Sequence, residues 1–466
     1  MLNKTDLDLD RSGVRAESTA RNFFFRGRLL SSCLMLLLIS GCSSYGVIHN
    51  EQSVDVETGK PYSLRTWAEA DEAADFVFIL TFSGGGTRAS AMAYGVLEEL
   101  RDTNVVVDGK ESRLLDEVTH ISSVSGGSFT SAYYGLYGDR IFEDFESEFL
   151  LKNVEGHLAR SALNPFHWFS RKGRTERSAE YYNKILFHDA TFADMMKPGR
   201  PMIVINASDL AYGVRFSFIQ DYFNLFCSDV RDFPVASAVT ASSAVPVVFN
   251  PIVVENFDGC PEFQPSPRVR EMAEQSDELA QMLSGMESYN DKQSRKYIHF
   301  VDGGITDNMG LRAMTDVVIV SGGPAEMVNK THRKLPSHIV VLSVNASTDK
   351  HSDMDKSPEQ PSMLASLNAM TDIQLHRYNA ATVDEVRDNL EAWAVQMSTP
   401  EHKIKPYFIE VGFDDVPEPQ LKLFLNKIPT SFNLTKEQVD ALTRSARDLL
   451  KADPGFKQLV RDLGAP

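Results

Sequence analysis

Three short clusters of small and polar residues in this chain have the types and spacing needed for acyl transfer. The first is Gly84-Gly85-Gly86-Thr87-Arg88. Consecutive glycines let backbone N–H groups converge on one point, and a helix starting there adds its positive end, which suits a developing oxyanion. Arg88 either fixes this loop or adds positive charge to it. The second is Ser123-Val124-Ser125-Gly126-Gly127, inside a run from His120 to Ser128 that reads as strand, sharp turn and helix. A serine on such a turn holds its hydroxyl exposed at the carboxyl end of a sheet, and the usual pattern is G-x-S-x-G. Here Ser123 stands in place of the first glycine. The third is Phe300-Val301-Asp302-Gly303-Gly304, a strand ending in a carboxylate and two glycines. Taken singly, each cluster reads as well as an ordinary turn.

Acyl transfer needs a nucleophile, a base and oxyanion donors. Ser125 is the candidate nucleophile, and the glycine loop supplies donors. A serine–acid–histidine order would require His376 or His402 as base. His376 falls in a helical pattern and His402 in the turn Thr399–Lys403, so both read as surface residues. The other arrangement is a serine–aspartate dyad with Asp302 as base. No Cys/His set has ligand spacing, so neither metal nor cofactor is expected.

Taken in order, the three clusters resemble the motifs of the patatin-like phospholipase family: a G-G-G-x-R/K loop, a G-x-S-x-G elbow and an aspartate in D-G-G/A. The runs Asn206–Leu210, Ala241–Pro251 and Ile428–Phe432 are similar to further blocks of that family, so the likeness covers about residues 75–455. The resemblance implies Ser125 as nucleophile and Asp302 as the base that accepts its proton without a histidine. It also implies an oxyanion hole at the N–H groups near Gly85 and Gly86, and a membrane lipid or similar acyl ester as substrate. Asp307 and Asn308 are expected to hold the loop without a catalytic role.

The elements that position these clusters are legible as an alternation of strands and helices, giving one α/β domain with a mostly parallel central sheet and helices on both faces. Strands are expected at 75–82, 105–107, 119–124, 202–206, 247–254, 297–301, 338–344 and 407–411. Between the first two, apolar positions Ala89, Met92, Ala93, Val96, Leu97 and Leu100 keep helical spacing. Residues 262–296 read as a helical insertion and 349–361 as a surface loop. Thr435 and Gln438 form a capping box for the last helix, with Leu434 and Val439 as its staple. The domain is expected over 71–455, leaving 456–466 as a C-terminal tail.

Ahead of this domain, Arg21, Arg26 and Arg28 precede the apolar run Leu29–Ile39, which ends in Ser40-Gly41-Cys42. That run is short for a membrane span and suits a signal-peptide core. Leu38–Cys42 resembles a bacterial lipobox. The expectation is a signal peptide over 1–41, a lipidated Cys42, a tether over 42–70 and an outer-membrane location. Cys227 and Cys260 can then pair in an oxidising compartment, worth roughly 3 kcal/mol, or remain two buried thiols. Aromatic Pro165–Phe169, followed by Arg171, Lys172, Arg174 and Arg177, suits a membrane contact, a lid or a packed loop. A net charge of −17 argues against a nucleic-acid partner. The oligomeric state is not legible.

Two rival functions fit part of these data. A dinucleotide site would use Gly84-x-Gly86-x-x-Ala89 and Asp108 after Val105–Val107, leaving the later clusters idle. A catalytically silent surface lipoprotein would use the fold for binding only.

Overall fold

Phe76, Phe78, Leu80 and Phe82 alternate along the first strand and are all buried, while Val77, Ile79 and Thr81 between them are small or apolar. A strand coverable on both faces belongs in the interior of a parallel sheet. The computed structural model places it there. It describes residues 47–53, 60–70, 76–107, 109–157, 173–246, 248–331, 334–349, 358–361 and 363–464. The strands are β1 (Phe76–Phe82), β2 (Asn104–Val107), β3 (Lys110–Arg113), β4 (His120–Val124), β5 (Met202–Asp209), β6 (Arg215–Ser217), β7 (Ile252–Glu255), β8 (Tyr297–Asp302), β9 (His338–Asn345) and β10 (Lys405–Gly412). The helices used below are α1 (Leu64–Ala70), α2 (Gly86–Asp102), α3 (Gly126–Tyr137), α4 (Val235–Ser242), α5 (Pro267–Ala273), α6 (Asp277–Glu287), α7 (Arg312–Val320), α8 (Met363–Met397), α9 (Lys436–Ala452) and α10 (Pro454–Asp462).

The main sheet runs β10-β9-β1-β4-β5-β8-β7, with β6 also on β5. The five strands from β10 to β5 are parallel, and β6, β7 and β8 are antiparallel to their neighbours. On one face Ile79, Ile339, Val341 and Phe408 pack against Leu311, Val383, Val386 and Leu390 of the α7–α8 region. The other face carries the phenylalanines of β1 and the larger core that includes α2 and α3. Gly95 of α2 lets α9 approach closely, since a Cβ there would sit 2.4 Å from the Thr443 carbonyl oxygen. The capping box of Thr435 and Gln438 starts α9, and Leu434 and Val439 are buried beside it.

Register brings the site together. Val124, the last residue of β4, pairs with Asn206, and the next residue of β5, Ala207, pairs with Asp302. Strand β8 comes down antiparallel onto the sheet's carboxyl edge and ends level with the turn that leaves β4. Helices α5 and α6 lie in the connection between β7 and β8.

Several expectations are corrected. The strand expected at 105–107 is present within β2, but it pairs only with β3, in a hairpin separate from the main sheet. The strand expected at 247–254 is confined to β7, because Pro246 and Pro251 withhold ladder donors. Residues 456–464 do not form a tail: α10 buries Phe456 and Leu459, and Leu463 beyond it is also buried. Nor is 42–70 wholly a tether. Tyr62 is fully buried with its hydroxyl on the Ile203 carbonyl, and α1 follows. The signal peptide 1–41, Cys42 and the segment Pro165–Lys172 lie outside the described residues.

Candidate active site

Ser125 leaves β4 with φ 49° and ψ −119°, a positive φ that non-glycine residues rarely adopt. Strain of this kind costs about 1–3 kcal/mol and persists only where the surroundings enforce it. Here they do. A Cβ on Gly126 would lie 2.0 Å from the Gly86 carbonyl oxygen, and one on Gly127 would meet the Phe82 and Ser83 carbonyls at 2.8 Å. The nucleophile turn is therefore pressed directly on the glycine loop. Ser123 fits in place of glycine because its buried hydroxyl reaches Ser131 Oγ at 2.6 Å.

The Ser125 hydroxyl donates to Asp302 Oδ2 at 2.9 Å, and the Gly304 N–H donates to Asp302 Oδ1 at 2.8 Å. Asp302 is 8% exposed. Burial pushes its carboxyl up to about 6, although the hydrogen bonds from Gly304 and Ser125 pull the other way. A base in this range is ionised at neutral pH yet still a competent proton acceptor.

In the glycine loop the Gly84 N–H donates to the Asn308 carbonyl at 3.0 Å and the Thr87 N–H to the Ser431 carbonyl at 2.9 Å. The N–H groups of Gly85 and Gly86, with φ of 139° and 60°, have no hydrogen-bond partner among the described residues. They stand where α2 begins, beside the turn of Ser125. Arg88 packs its guanidinium beside Gly85, where a Cβ would lie 3.3 Å from it. Its guanidinium donates to the carbonyls of Ala346 and Ile428 and to Thr430 Oγ1, so it ties the loop to the segment Ile428–Phe432.

Neither histidine approaches Ser125. His402 Nε2 contacts the Pro336 carbonyl, which precedes β9 at the amino end of the sheet. His376 lines a pocket with Asn345, Glu410 and Gly412 that neither Ser125 nor Asp302 lines. Of the two residues expected to hold the loop, Asn308 takes the Gly84 N–H on its carbonyl. Asp307 Oδ2 accepts from the Ala313 N–H at 2.9 Å. The dinucleotide reading would set β2 beside β1, whereas β2 pairs only with β3; Asp108 itself lies outside the described residues.

Sequence reasoning missed the group that holds both halves of the dyad. Ser242, at the end of α4, accepts the Ser125 N–H on Oγ at 2.8 Å and donates to the Asn206 carbonyl at 2.6 Å. Its carbonyl accepts the Gly303 N–H, and the Ala244 carbonyl accepts the Asp302 N–H. Asn206 in turn donates to Ser122 Oγ and accepts from Ser217. The run Ala241–Pro251 was visible as a block, but nothing in it distinguishes Ser242 from Ser243 without the tertiary contacts. Cys227 and Cys260 are joined as a disulfide.

A strained serine bonded to a buried aspartate, beside unpartnered loop amides, defines a serine acyl hydrolase type of site. Residues 80–315, half of the chain, match the family model described as patatin-like phospholipase. The chain belongs to the patatin-like phospholipase family, a family of serine lipid acyl hydrolases. Among solved structures it is similar to human GIVD cytosolic phospholipase A2, at 13% identity over 91% of this chain and 68% of that one, TM-score 0.44. The same human protein in complex with methyl gamma-linolenyl fluorophosphonate gives 13% identity, 87% and 62% coverage, and a TM-score of 0.38. The chain thus spans about two thirds of the length of these structures. No curated protein matches it.

Proposed function

We propose that this protein is a membrane-anchored lipid acyl hydrolase that cleaves fatty-acyl esters through Ser125 and Asp302. The observation that carries the reading is the 2.9 Å hydrogen bond from Ser125 Oγ to Asp302 Oδ2, beside the unpartnered N–H groups of Gly85 and Gly86. Ser125 attacks the ester carbonyl as its proton passes to Asp302. The loop amides then take the negative charge of the tetrahedral intermediate. Asp302 delivers the proton to the departing alcohol, leaving an acyl-enzyme. Water enters by the same route: Asp302 takes its proton, the hydroxide attacks the acyl carbon, and the proton returns to Ser125 as the fatty acid leaves.

The membrane part of the reading rests on Leu38–Cys42, whose order of residues suits lipidation of Cys42 and an outer-membrane position. The Cys227–Cys260 disulfide fits an oxidising compartment. The test measures fatty-acid release from phospholipid and from p-nitrophenyl esters by wild type, Ser125→Ala, Asp302→Asn and His376→Ala. Loss in the first two variants with full activity in the third is the expected result. Full activity in folded Ser125→Ala would sink the dyad, and an inactive wild type on a broad ester panel would favour the silent binding protein.

A further inference from the structure

The two faces of β1 are covered unequally. Phe76, Phe78, Leu80 and Phe82 are at most 3% exposed, whereas Val77 and Ile79 on the opposite face are only half-buried. An interior strand under a closed helix layer would hide both. The layer does not close: between the sheet and α7, α8 and the helix Pro324–Thr331 lies a cavity of about 150 Å³. Its floor is two rows of side chains across the sheet, Ile339 with Val77 and then Val341 with Ile79 and His120. Met314 and Val317 of α7, Met327 of the helix Pro324–Thr331, and Leu390 and Trp393 of α8 cover it.

Protein interiors hold few voids larger than a water molecule, because the walls of a void forfeit their dispersion contacts. Among the described residues, no Asp, Glu, Lys or Arg lines this one. Its polar members are already satisfied within the protein. Thr81 donates to Ser343 Oγ at 3.0 Å, Thr315 donates to the Arg312 carbonyl at 3.0 Å, and His120 Nδ1 meets Thr119 Oγ1 at 2.9 Å. A filling group must therefore be apolar. The space is a slit, and from Val77 to Thr81 its floor runs about 13 Å. A void of this size takes about six carbons, and flexible methionine walls can yield to a few more. The cavity is also cut off from the dyad. Ser343, Thr81 and Ser122 form the next row across the sheet, all fully buried, with Ser122 Oγ on the Gly310 carbonyl at 2.6 Å. Ser125 lies on the far side of that row, and neither it nor Asp302 lines the cavity.

We propose that this cavity is a second lipid site, which holds the aliphatic chain of a free fatty acid and does no chemistry on it. Fatty acids are what a lipid acyl hydrolase releases, so such chains are at hand wherever the protein works. With no Lys or Arg in the lining, the carboxylate stays in water and only the chain is gripped. The site stands apart from Ser125 and Asp302 and does not depend on their roles.

The test reads the fluorescence of Trp393 in the full chain. ω-Bromoundecanoic acid, kept below its micelle-forming concentration, is expected to quench it saturably, and Trp393→Phe should remove the quenched component. Undecanol should compete as well as undecanoate, since the head group is not gripped. Val317→Phe fills the cavity from a half-buried wall position and should weaken binding about tenfold or more. Its hydrolysis of p-nitrophenyl laurate should match that of the wild type, because the row of Ser343, Thr81 and Ser122 separates the cavity from Ser125. Met314→Ala enlarges the cavity and should move the preference toward longer chains. Quenching that is unsaturable, or equal in wild type and Val317→Phe, overturns the site. Laurate hydrolysis that falls in step with lost binding overturns its separateness and makes the cavity the dyad's own chain subsite. Should Val317→Phe fail to fold, Met314→Ala decides, and an unchanged chain-length preference overturns the proposal. A chain-binding protein without esterase activity would count against the hydrolase and leave this site standing.

Discussion

The two turns that meet at the dyad store their cost in different ways. The turn after β4 is strained in its backbone: Ser125 holds a positive φ, and its flanking glycines lie against carbonyls of the loop and of β1. The turn after β8 is relaxed in backbone, with Gly303 at φ −64°, and carries its cost as a buried carboxylate pushed up to about 6. One half is primed by geometry and the other by electrostatics. A nucleophile must be aimed, whereas a base must hold an acidity matched to its task.

The most severe way to break the comparison is to remove either working atom. Ser125→Ala and Asp302→Asn are each expected to lower kcat/KM at least about 10⁴-fold, since groups acting as a unit fail together. Fatty-acid release from a soluble ester checks this, and the double variant should be little worse than either single one.

Next come the glycines. In Gly126→Ala the new methyl group would meet backbone, 2.0 Å from the Gly86 carbonyl, so the glycine loop must shift and activity is expected to fall about 10²-fold or more. In Gly304→Ala the nearest atoms are the ends of side chains, Asp302 Oδ1 at 3.0 Å and Asn308 Oδ1 at 3.1 Å, which can give way. A loss of about tenfold or less is expected there. Equal losses in the two would remove the contrast between a backbone-crowded turn and a side-chain-lined one.

Stability separates the two costs by pH. Ser125→Gly relieves the positive φ and should stabilise the fold by about 1–3 kcal/mol at every pH. The Asp302 carboxyl sits above its usual 3.8 in the fold, so its burial is harmless below that pH and destabilises progressively as pH rises through about 6. Asp302→Asn is therefore expected to gain up to about 3 kcal/mol at pH 8 and only about 0.5 kcal/mol at pH 4. Denaturant unfolding at the two pH values measures it. Asp307, also pushed up to about 6 by burial, adds a decline over the same window that remains in Asp302→Asn.

This division also explains what was legible in the sequence. Gly84-Gly85-Gly86, Gly126-Gly127 and Gly303-Gly304 were visible because close backbone approach demands glycine, and such a demand shows in residue type. The five parallel strands were visible as apolar runs. The direction of β7 and β8 was not, because side-chain alternation is the same for parallel and antiparallel pairing. Residues 105–107 were visible as a strand, but their partner β3, with the polar residues Lys110–Arg113, was not. Arg88 was left between two roles, and its contacts with Ala346, Ile428 and Thr430 supply the loop-fixing one. Residues 456–466 were read as a tail because a helix of two turns leaves a weak periodic signal. Partners more than 100 residues apart, such as Ser242 and Ser125, leave none.

Ser242 gives a small expected effect and the sharpest one, because it touches both turns by different atoms. Its hydroxyl holds the Ser125 N–H, while its backbone carbonyl holds the Gly303 N–H. Ser242→Ala removes the first, together with the hydroxyl's bonds to the Asn206 carbonyl and Ser128 Oγ, and keeps the second. A buried N–H left without its acceptor costs about 1–3 kcal/mol, and the strained turn is the part free to relax. The expected result is a kcat about tenfold lower with KM unchanged. The acid limb of the rate profile should stay near pH 6, because the carbonyls of Ser242 and Ala244 still place the Asp302 turn. Were that limb to move along with kcat, the two turns would be one coupled device, and geometric and electrostatic priming would not be separable.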